Sequence, residues 1–587
     1  MSGEGRIGAG WRVDMAWLLG LAVLIGLLTF RHIGALGLYS DDWDHLHQVT
    51  TLPLGQLARS WPMDYRPFDM LPWVVLHALF GQALAWYYAV LFGIRVATAW
   101  LLYALVRRLC RSALLAGAVA ALWSVYPADS TVYWLTCFAY RLGMLFLLAG
   151  LVLLARRPRA MGAAYWGSVA CCALCLACHE IYLGLLLLLP FGADLAGRGA
   201  GAVEGTHTTR GGQGAARLRR VGPYLALIGA CGIYRIWLGP HVLHFMDGKG
   251  GEYRTGAGGV LGAVLDGAGM VLVRGWQMAA GTVGAPPPTV FDGRALITWM
   301  AVTPGWGVAS WAILGLYVAA AASALGGWLW RERRGWWESA RPGIVALGLG
   351  VAGVCLGYAA VALTADAPSL DGVATRLNAA ALPGASLLLC GALWTLAGTL
   401  PVAPRTARLV FAAAAGAFVL LGSLWSERTA STYARAWADQ GQFWRALVRT
   451  VPGVRPGTLI VVLAADSRTG DGLTGLQPWG IGPAVRLLYG EAALADYLTP
   501  EDMDLACVPW RSTDNNGFWH LHLSGAGVQP HGSAEVISYE RVLVVRYSAA
   551  QDTMRVVDGS VVLRAGCVLR SNGTRLMARS GAGTVRW

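Results

Sequence analysis

The chain has 587 residues, of which 56% are hydrophobic and 13% charged, with a formal net charge of +13 at pH 7. Charged residues make up roughly 25% of an ordinary soluble domain, so this composition excludes a soluble enzyme. The positive charge consists mostly of arginines between hydrophobic runs, as the positive-inside rule requires of cytoplasmic loops, and this argues against a nucleic-acid-binding protein.

Apolar runs close to the length that crosses a bilayer recur through the first three quarters of the chain. The first, at about 15–30, has no convincing cleavage site, so we interpret it as an uncleaved signal anchor with its amino terminus in the cytoplasm. The hydropathy predicts about eleven transmembrane helices in all. The others lie at about 86–106, 111–127, 133–155, 162–178, 181–196, 222–239, 305–330, 342–363, 379–399 and 409–425.

If the amino terminus is cytoplasmic and successive spans cross the membrane in alternating directions, the arginine-rich loops lie inside and the acidic motifs lie outside. The outer side then receives a first loop at about 34–85 and everything after about 426. Segment 257–283 is apolar, but glycines, Asp266 and Arg274 interrupt it. We therefore predict that it is a surface or re-entrant helix within an outer loop.

From about residue 427 the composition becomes compatible with water. The runs 458–463, 542–548 and 556–569 predict strands, and Asp558-Gly559 predicts a hairpin turn. The predicted fold is thus an all-α polytopic membrane domain, residues 1–426, followed by an extracytoplasmic α+β domain, residues 427–587.

The most informative motif is YSDDWDHLH, at 39–47 in the first outer loop. Adjacent carboxylates such as Asp41 and Asp42 resist simultaneous ionisation near a low-dielectric boundary, which raises one pKa towards that of a useful base. Asp44 adds a third carboxylate, and Trp43 indicates partial burial. The alternative is a solvated acidic start of a loop.

Further charged residues lie at the predicted outer ends of spans. Arg66 either holds a phosphate or pairs with Asp64, and the sequence leaves both open. Arg141 stands in the apolar opening of a span, where an arginine is costly unless paired; it is a site candidate, with pairing to Asp129 as the alternative.

Two other outer positions carry polar groups. His179 and Glu180 lie between two apolar runs, where ordinary turn chemistry is the alternative to a site. Arg376 begins a late span, and it either reaches a lipid phosphate or snorkels to headgroups. Together these residues suit a reaction between a lipid-phosphate-linked donor and an exported acceptor.

In this order the motifs resemble the GT-C superfamily of polyprenyl-phosphate-sugar glycosyltransferases, especially bacterial relatives of the protein O-mannosyltransferases and TMTC-type mannosyltransferases. The resemblance covers roughly residues 15–400. The motifs that carry it are Asp41-Asp42, Tyr65-Arg66-Pro67, Arg141 after the Pro127 turn, Glu180 and Arg376.

The sequence also departs from the pattern of these families. Tyr126 and Asp129 stand where the TMTC-like pattern favours histidines, and Arg376 lacks its preceding Glu and following Tyr. No TPR array follows. The identities of the donor sugar and the acceptor therefore do not transfer to this chain.

The resemblance implies an inverting hexosyl- or pentosyltransferase in the bacterial cytoplasmic (inner) membrane. It would move a sugar from a polyprenyl-phosphate lipid to an exported protein, glycan or lipid. Asp41 is the expected general base, with Asp42 as second choice or orienting partner. The expected substrate-binding residues are Asp44, Arg66, Arg141, His179, Glu180 and Arg376.

The sequence leaves open whether the acidic cluster also holds a divalent cation. It also leaves two rival functions. One is a transporter or lipid flippase, for which internal repeats with polar sites near the bilayer midplane would be expected, and neither is found. The other is a non-catalytic subunit of a polymer-export system, in which Asp41 and Asp42 would have no role.

Overall fold

The computed structural model describes most of the helical region and the strands of the carboxyl-terminal part. The described residues are 3–58, 67–156, 162–190, 210–234, 257–284, 312, 315–320, 322–323, 334–362, 370, 372–464, 478–490, 494–498, 522–523, 527–529, 536–548, 550–562, 568–572 and 576.

Helices dominate this part of the chain. They are α1 (Gly3–Thr29), α2 (Asp42–Thr51), α3 (Pro67–Phe80), α4 (Leu84–Cys110), α5 (Ala113–Ser124), α6 (Phe138–Arg156), α7 (Ala163–Cys178), α8 (Arg210–Ile233), α9 (Ala257–Gly269), α10 (Gly275–Gly284), α11 (Arg334–Ala362), α12 (Leu382–Thr399), α13 (Pro404–Thr450) and α14 (Pro478–Tyr489). Short helical turns occur at Phe30–Ala35, Leu54–Leu57, Thr131–Tyr133, Leu135–Cys137, Glu180–Tyr182, Leu183–Leu186, Gly372–Asn378 and Tyr539–Arg541.

Within the described residues, 7 helices are long and apolar enough to cross a membrane. They are Trp11–Ala35, Leu84–Cys110, Leu135–Ala155, Gly259–Gly281, Ala340–Ala362, Leu382–Thr399 and Pro404–Thr450. The predicted polytopic helical membrane protein is confirmed. The count of about eleven stays a prediction, because most of the predicted span at 305–330 and the ends of those at 181–196 and 222–239 lie outside the described residues.

The surface or re-entrant position of segment 257–283 stays a prediction, although Gly259–Gly281 is long and apolar enough to cross a membrane. The segment is a helical rod in which a π turn joins α9 to α10. Trp276 is fully buried and packs edge-to-face on Tyr126 and Phe418. One of the glycines that suggested interruptions permits close packing, since Gly267 lies against an aromatic ring of α11.

Glycines also bring α11 and α12 together with their backbones in contact. A Cβ placed on Gly384 would lie 2.5 Å from the backbone nitrogen of Val354, and one placed on Gly357 would lie 2.7 Å from Cα of Ala381. Small residues of this kind let membrane helices approach closely, so that dispersion contacts hold them together. The α11–α12 pair fixes the position of the turn Gly372–Asn378, which precedes α12.

The carboxyl-terminal region contains a small sheet domain, as predicted. Its strands are β1 (Leu459–Ala464), β2 (Leu494–Leu498), β3 (His522–Leu523), β4 (Gly527–Gln529), β5 (Ile537–Ser538), β6 (Val542–Ser548), β7 (Thr553–Val562) and β8 (Val568–Asn572). One sheet has the order β2-β1-β6-β7-β8, in which β1 runs parallel to β2 and β6, while β6, β7 and β8 are antiparallel; β3, β4 and β5 form a second, antiparallel sheet.

The predicted hairpin turn at Asp558-Gly559 is wrong. Both residues lie inside β7, where Gly559 has a φ of +83°. Before this point β7 pairs with β6, as in Val557 opposite Val544, and from Asp558 onward it pairs with β8. The glycine therefore provides the backbone conformation at which one strand changes partners, and not the end of a strand.

Helix α13 connects the membrane region to the sheet domain. It runs without a break through residue 426, the predicted end of the membrane domain, and its carboxyl-terminal part contacts β7. The same part also packs on α2, through an edge-to-face contact between Trp43 and Trp444 and a hydrogen bond from Trp43 Nε1 to Gln440 Oε1 at 3.2 Å.

Candidate active site

The turn before α2 buries its second aspartate completely. Asp42 Oδ2 accepts the N–H of Tyr39 at 3.0 Å, and Oδ1 accepts both the N–H and the hydroxyl of Thr136 at 2.7 and 2.5 Å. Burial raises the pKa of Asp42 to about 7 despite these hydrogen bonds. Both carboxylate oxygens are therefore engaged, and Asp42 ties the first loop to the turn before α6.

Asp41 lies one residue earlier but in a different environment, because it is only half-buried. Its backbone carbonyl accepts the N–H of His45 at 3.0 Å, while its side chain makes no capping hydrogen bond to α2. Its Oδ1 accepts the hydroxyl of Ser40 at 3.1 Å. Ser40 has a φ of 51°, which non-glycine residues seldom adopt, and this conformation sets the sharp entry into α2.

His45 stands on the same turn of α2, buried and held in place. Its Nδ1 lies 2.9 Å from the carbonyl oxygen of Asp41, and its ring stacks on Trp73 at a centroid distance of 5.4 Å. Burial alone would lower the pKa of His45, but the carboxylates of Asp69, Asp44 and Asp41 raise it above the ordinary value.

Asp44 is half-buried and faces its own helix. Its Oδ2 accepts a hydrogen bond from Gln48 Nε2 at 2.7 Å. Burial raises the pKa of Asp44, although the nearby His45 and His47 partly oppose this. The three carboxylates of the motif therefore differ in exposure and partners, which separates their possible roles.

Arg141 forms an ion pair at the start of α6. Its Nη1 donates to Asp129 Oδ2 at 2.6 Å, and its Nη2 donates to Thr131 Oγ1 at 3.1 Å. Asp129 Oδ1 also accepts the N–H and hydroxyl of Thr131 at 2.9 and 2.6 Å. Burial raises the pKa of Asp129, but Arg141 and these hydrogen bonds hold it below its usual value. The pairing that the sequence offered as an alternative is therefore present.

The turn that carries Arg376 docks on the turn that carries Asp129. Asn378 Nδ2 donates to the carbonyl of Ala128 at 2.8 Å, and the hydroxyls of Ser130 and Thr375 lie 2.9 Å apart. Arg376 is half-buried, and its charge and that of Arg141 both act on the buried Cys137. Segments more than two hundred residues apart in sequence therefore meet here.

His179 and Glu180 approach the same region from the end of α7. His179 is buried, its ring lies 4.0 Å from that of Tyr140, and its Nδ1 accepts the N–H of Ile181 at 3.2 Å. Glu180 Oε2 lies 3.5 Å from His179 Nδ1. Helix α3 of the first loop contacts α7, so the first loop and α7 are neighbours.

These contacts form one connected cluster. Trp134 Nε1 donates to the carbonyl of Tyr39 at 2.9 Å, and this joins the first loop to the segment between Asp129 and Arg141, on which the turn that carries Arg376 docks. Of the predicted site residues, Arg66 lies outside the described residues. Those that the structure describes are Asp41, Asp42, Asp44, Arg141, His179, Glu180 and Arg376. Their functional roles stay predictions.

Sequence reasoning missed three residues of the cluster: Arg95, Asp69 and Thr136. Arg95 could have been recognised from the sequence, because it interrupts the predicted span at 86–106. A charge inside a membrane helix is by default a site candidate. Asp69 follows Arg66 closely and could have been included with it. Thr136 had no signal, since nothing local distinguishes a threonine that binds a distant carboxylate.

A cavity of about 30 Å³ opens beside Arg141, with room for roughly two water molecules. Arg95, Asp129 and Arg141 supply its charged lining, and the apolar and aromatic lining includes Trp123, Tyr126, Val132, Met144, Tyr182 and Leu382. Two positive charges against one negative charge, enclosed mainly by apolar side chains, favour an anion.

The described residues do not fit a divalent cation. No group of three or more His, Cys, Asp and Glu side chains in the described part of the chain is arranged to hold a metal ion. Both oxygens of Asp42 already accept hydrogen bonds from Tyr39 and Thr136, so this carboxylate does not offer a free ligand.

The fold and the cluster define a multi-pass helical membrane protein with a sheet domain at its carboxyl terminus and a charged, partly buried site among its turns. No protein-family model matches the sequence, and no curated protein matches it significantly. Among solved structures the chain is similar to ArnT from Cupriavidus metallidurans bound to undecaprenyl phosphate. The identity is 12% and the TM-score 0.36, over 84% of this chain and 94% of that chain. A likeness at this level assigns neither a family nor an activity.

Proposed function

We propose that this protein is a membrane glycosyltransferase that moves a sugar from a polyprenyl-phosphate donor to an acceptor on the outer side, with inversion. The observation that carries the proposal is the convergence of the turn bearing Asp41, the Arg141–Asp129 pair and the turn bearing Arg376 in one connected cluster. Such a cluster supplies a base and a cationic clamp at one place, which is what the motif order implies.

The reaction requires one base and little acid catalysis. The acceptor hydroxyl attacks the anomeric carbon of the donor while the bond from that carbon to the phosphate oxygen breaks, and the polyprenyl phosphate leaves with the bonding electrons. Because phosphate is already a good leaving group, no strong general acid is needed to expel it. The proton of the acceptor passes to the base.

Asp41 suits the role of base better than Asp42 does. Asp41 is half-buried, and its carboxylate accepts a hydrogen bond from Ser40, whereas Asp42 is enclosed and accepts three hydrogen bonds. A base needs access to the acceptor proton at about 2.6–3.2 Å, which an enclosed carboxylate does not have. Asp42 then acts as the positioning residue that holds the turn carrying Asp41.

Arg141 and Arg376 are the described candidates for stabilising the phosphate that leaves. Charge-assisted hydrogen bonds from arginine to phosphate are strong and frequently bidentate, and they gain strength where water is scarce. Asp44 of the first loop, together with His179 and Glu180 at the end of α7, is proposed to orient the acceptor. The sugar is proposed only as a hexose or a pentose, and mannose is not assigned.

The proposal is tested by following polyprenyl-phosphate sugars in native membranes, which also supply the acceptor. Membranes containing the wild-type protein are expected to convert one lipid-linked hexose or pentose to free polyprenyl phosphate. Asp41→Asn is expected to lower this rate by roughly 10²- to 10⁴-fold, the usual contribution of a positioned base. Asp552→Asn is the matched control, because Asp552 lies in the exposed turn between β6 and β7.

Near-normal turnover by Asp41→Asn would remove Asp41 from the role of base. If the wild-type protein in proteoliposomes moves the lipid across the bilayer without consuming any sugar donor, the flippase alternative replaces the transferase. If neither Asp41→Asn nor Asp42→Asn changes the transfer rate in an otherwise active system, a non-catalytic subunit would be favoured.

A further inference from the structure

Arg95 is the charged residue of the cavity that the proposed mechanism does not use. It lies within α4, a helix of membrane-spanning length, and its side chain lines the same cavity as Arg141 and Asp129. Arg95 is only 8% exposed. A charge at such a position is costly and persists only where something compensates for it.

The described partners do not neutralise this guanidinium. Its Nη2 donates to the carbonyl of Ser124, and its Nη1 is buried without a hydrogen-bond partner among the described residues. The hydroxyl of Tyr133 lies close to this guanidinium, but it donates to the carbonyls of Leu28 and Ser426 and supplies no negative charge to neutralise it. The cavity's carboxylate, Asp129, is already bound by Arg141. Arg95 therefore leaves a net positive charge in an apolar enclosure.

Arg141 adds a second unused donor to the same cavity. Its Nη1 and Nη2 bind Asp129 and Thr131, but its Nε is buried and has no hydrogen-bond partner among the described residues. Two guanidinium groups, each with one buried N–H that has no partner among the described residues, therefore line one cavity with space for roughly two water molecules, and such donors suit the non-bridging oxygens of a phosphodiester.

We propose that Arg95 binds the phosphate of the lipid-linked donor in this cavity, together with the free Nε of Arg141. The inference rests on the proposed function and assigns a donor-binding residue within the membrane helices. Trp123, Met144 and Leu382 in the cavity wall suit the apolar isoprenoid unit attached to that phosphate. Arg95 is thus a binding residue for the leaving group and has no part in proton transfer.

The test is ligand binding by the purified full-length protein in detergent, measured by direct titration and by the shift of the thermal midpoint. The probes are polyprenyl phosphate, the uncharged polyprenol and inorganic phosphate. Arg95→Gln is expected to weaken polyprenyl phosphate binding by about 10- to 100-fold, as expected for the loss of charge-assisted hydrogen bonds, and to leave polyprenol binding unchanged. Arg435→Gln, at an exposed position of α13, is the matched control.

Arg95→Lys keeps the positive charge but lacks the planar guanidinium group, and it replaces Arg95→Gln in the test if that variant does not fold. We expect the lysine variant to bind polyprenyl phosphate more weakly than the wild-type protein does. Wild-type affinity in both variants would overturn the proposal. Equal stabilisation by inorganic phosphate and by polyprenyl phosphate would assign the cavity to a free anion and overturn the lipid assignment. These binding measurements need neither a sugar nor an acceptor. If polyprenyl phosphate binding depends on Arg95 but the protein transfers no sugar, the proposed function is wrong while the proposed phosphate site is supported.

Discussion

At the scale of single residues, two adjacent aspartates have opposite environments. Asp42 is enclosed and accepts three hydrogen bonds from Tyr39 and Thr136, while Asp41 is half-buried beside Ser40. The difference arises because the backbone turns sharply at Ser40, so successive side chains leave in different directions. Chemical roles in this motif are therefore divided by geometry, although the residues are identical in type.

The raised pKa of Asp42 predicts a pH-dependent stability. Because its pKa rises from 3.8 to about 7, the folded protein binds this proton more tightly than the unfolded chain between these two pH values. The stabilisation that protonated Asp42 contributes to the folded protein is fully present below pH 3.8 and is lost as the pH rises through about 7. From pH 5 to pH 8 the loss is on the order of 3 kcal/mol.

Asp42→Asn removes this titration, because an amide does not ionise. Thermal midpoints in detergent are the measurement, and we expect the wild-type midpoint to fall relative to that of the variant between pH 5 and pH 8. The Asp552→Asn protein should follow the wild-type curve. Parallel curves for wild type and Asp42→Asn would show that Asp42 does not titrate in this range.

At the scale of helices and turns, the position of Arg376 depends on how closely α11 and α12 pack. Asn378, at the end of the turn before α12, accepts a hydrogen bond from Tyr358 of α11 at 2.7 Å and donates one to Ala128. The helix pair therefore acts as a rigid support for the turn that docks on the Arg141–Asp129 region. Any change that separates α11 from α12 should move this turn.

Gly384→Ala tests this support. The new methyl group would lie 2.5 Å from the backbone nitrogen of Val354, and backbone cannot rotate away as a side chain can. We expect a loss of about 1–3 kcal/mol in stability, seen as a lower thermal midpoint, because the helices must move apart. Gly416→Ala is the control, since nothing lies within 4 Å of its added Cβ. A midpoint for Gly384→Ala equal to that of the control would contradict the close packing.

At the scale of the whole molecule, the first loop is held between the membrane helices and the carboxyl-terminal part. One side of α2 is bound through Asp42 to Thr136, and the other packs on α13 through Trp43 and Trp444. Helix α2 also contacts α14 of the sheet domain. Because the motif lies between these parts, the sheet domain contributes to the stability of the proposed site even though it carries none of the predicted site residues.

Trp444→Ala should therefore weaken both stability and transfer. Trp444 is fully buried against Trp43, and truncating a buried tryptophan costs about 3–5 kcal/mol. The measurements are the thermal midpoint in detergent and the rate of polyprenyl phosphate release. Trp166→Ala is the control, because Trp166 is 52% exposed, and we expect a much smaller effect there. Loss of stability with an unchanged transfer rate would show that α2 keeps its position without this contact.

Much of the architecture follows from the sequence alone. Hydropathy identifies a polytopic membrane protein, since crossing a bilayer needs long apolar helices whatever their neighbours are. The runs at 458–463 and 542–548 become β1 and β6, because β-branched residues favour strands locally. The motif at 39–47 is recognisable because three carboxylates so close together are unusual beside a membrane.

Only the tertiary structure decided which partner each residue meets. Asp42 binds Thr136, which is 94 positions away, and Arg95 shares a cavity with Arg141, which lies on another helix. The partner change of β7 at Gly559 and the burial of Trp276 likewise depend on strands and helices far along the chain. Propensity and hydropathy are properties of neighbours in sequence, whereas burial, pairing and pKa are set by neighbours in space.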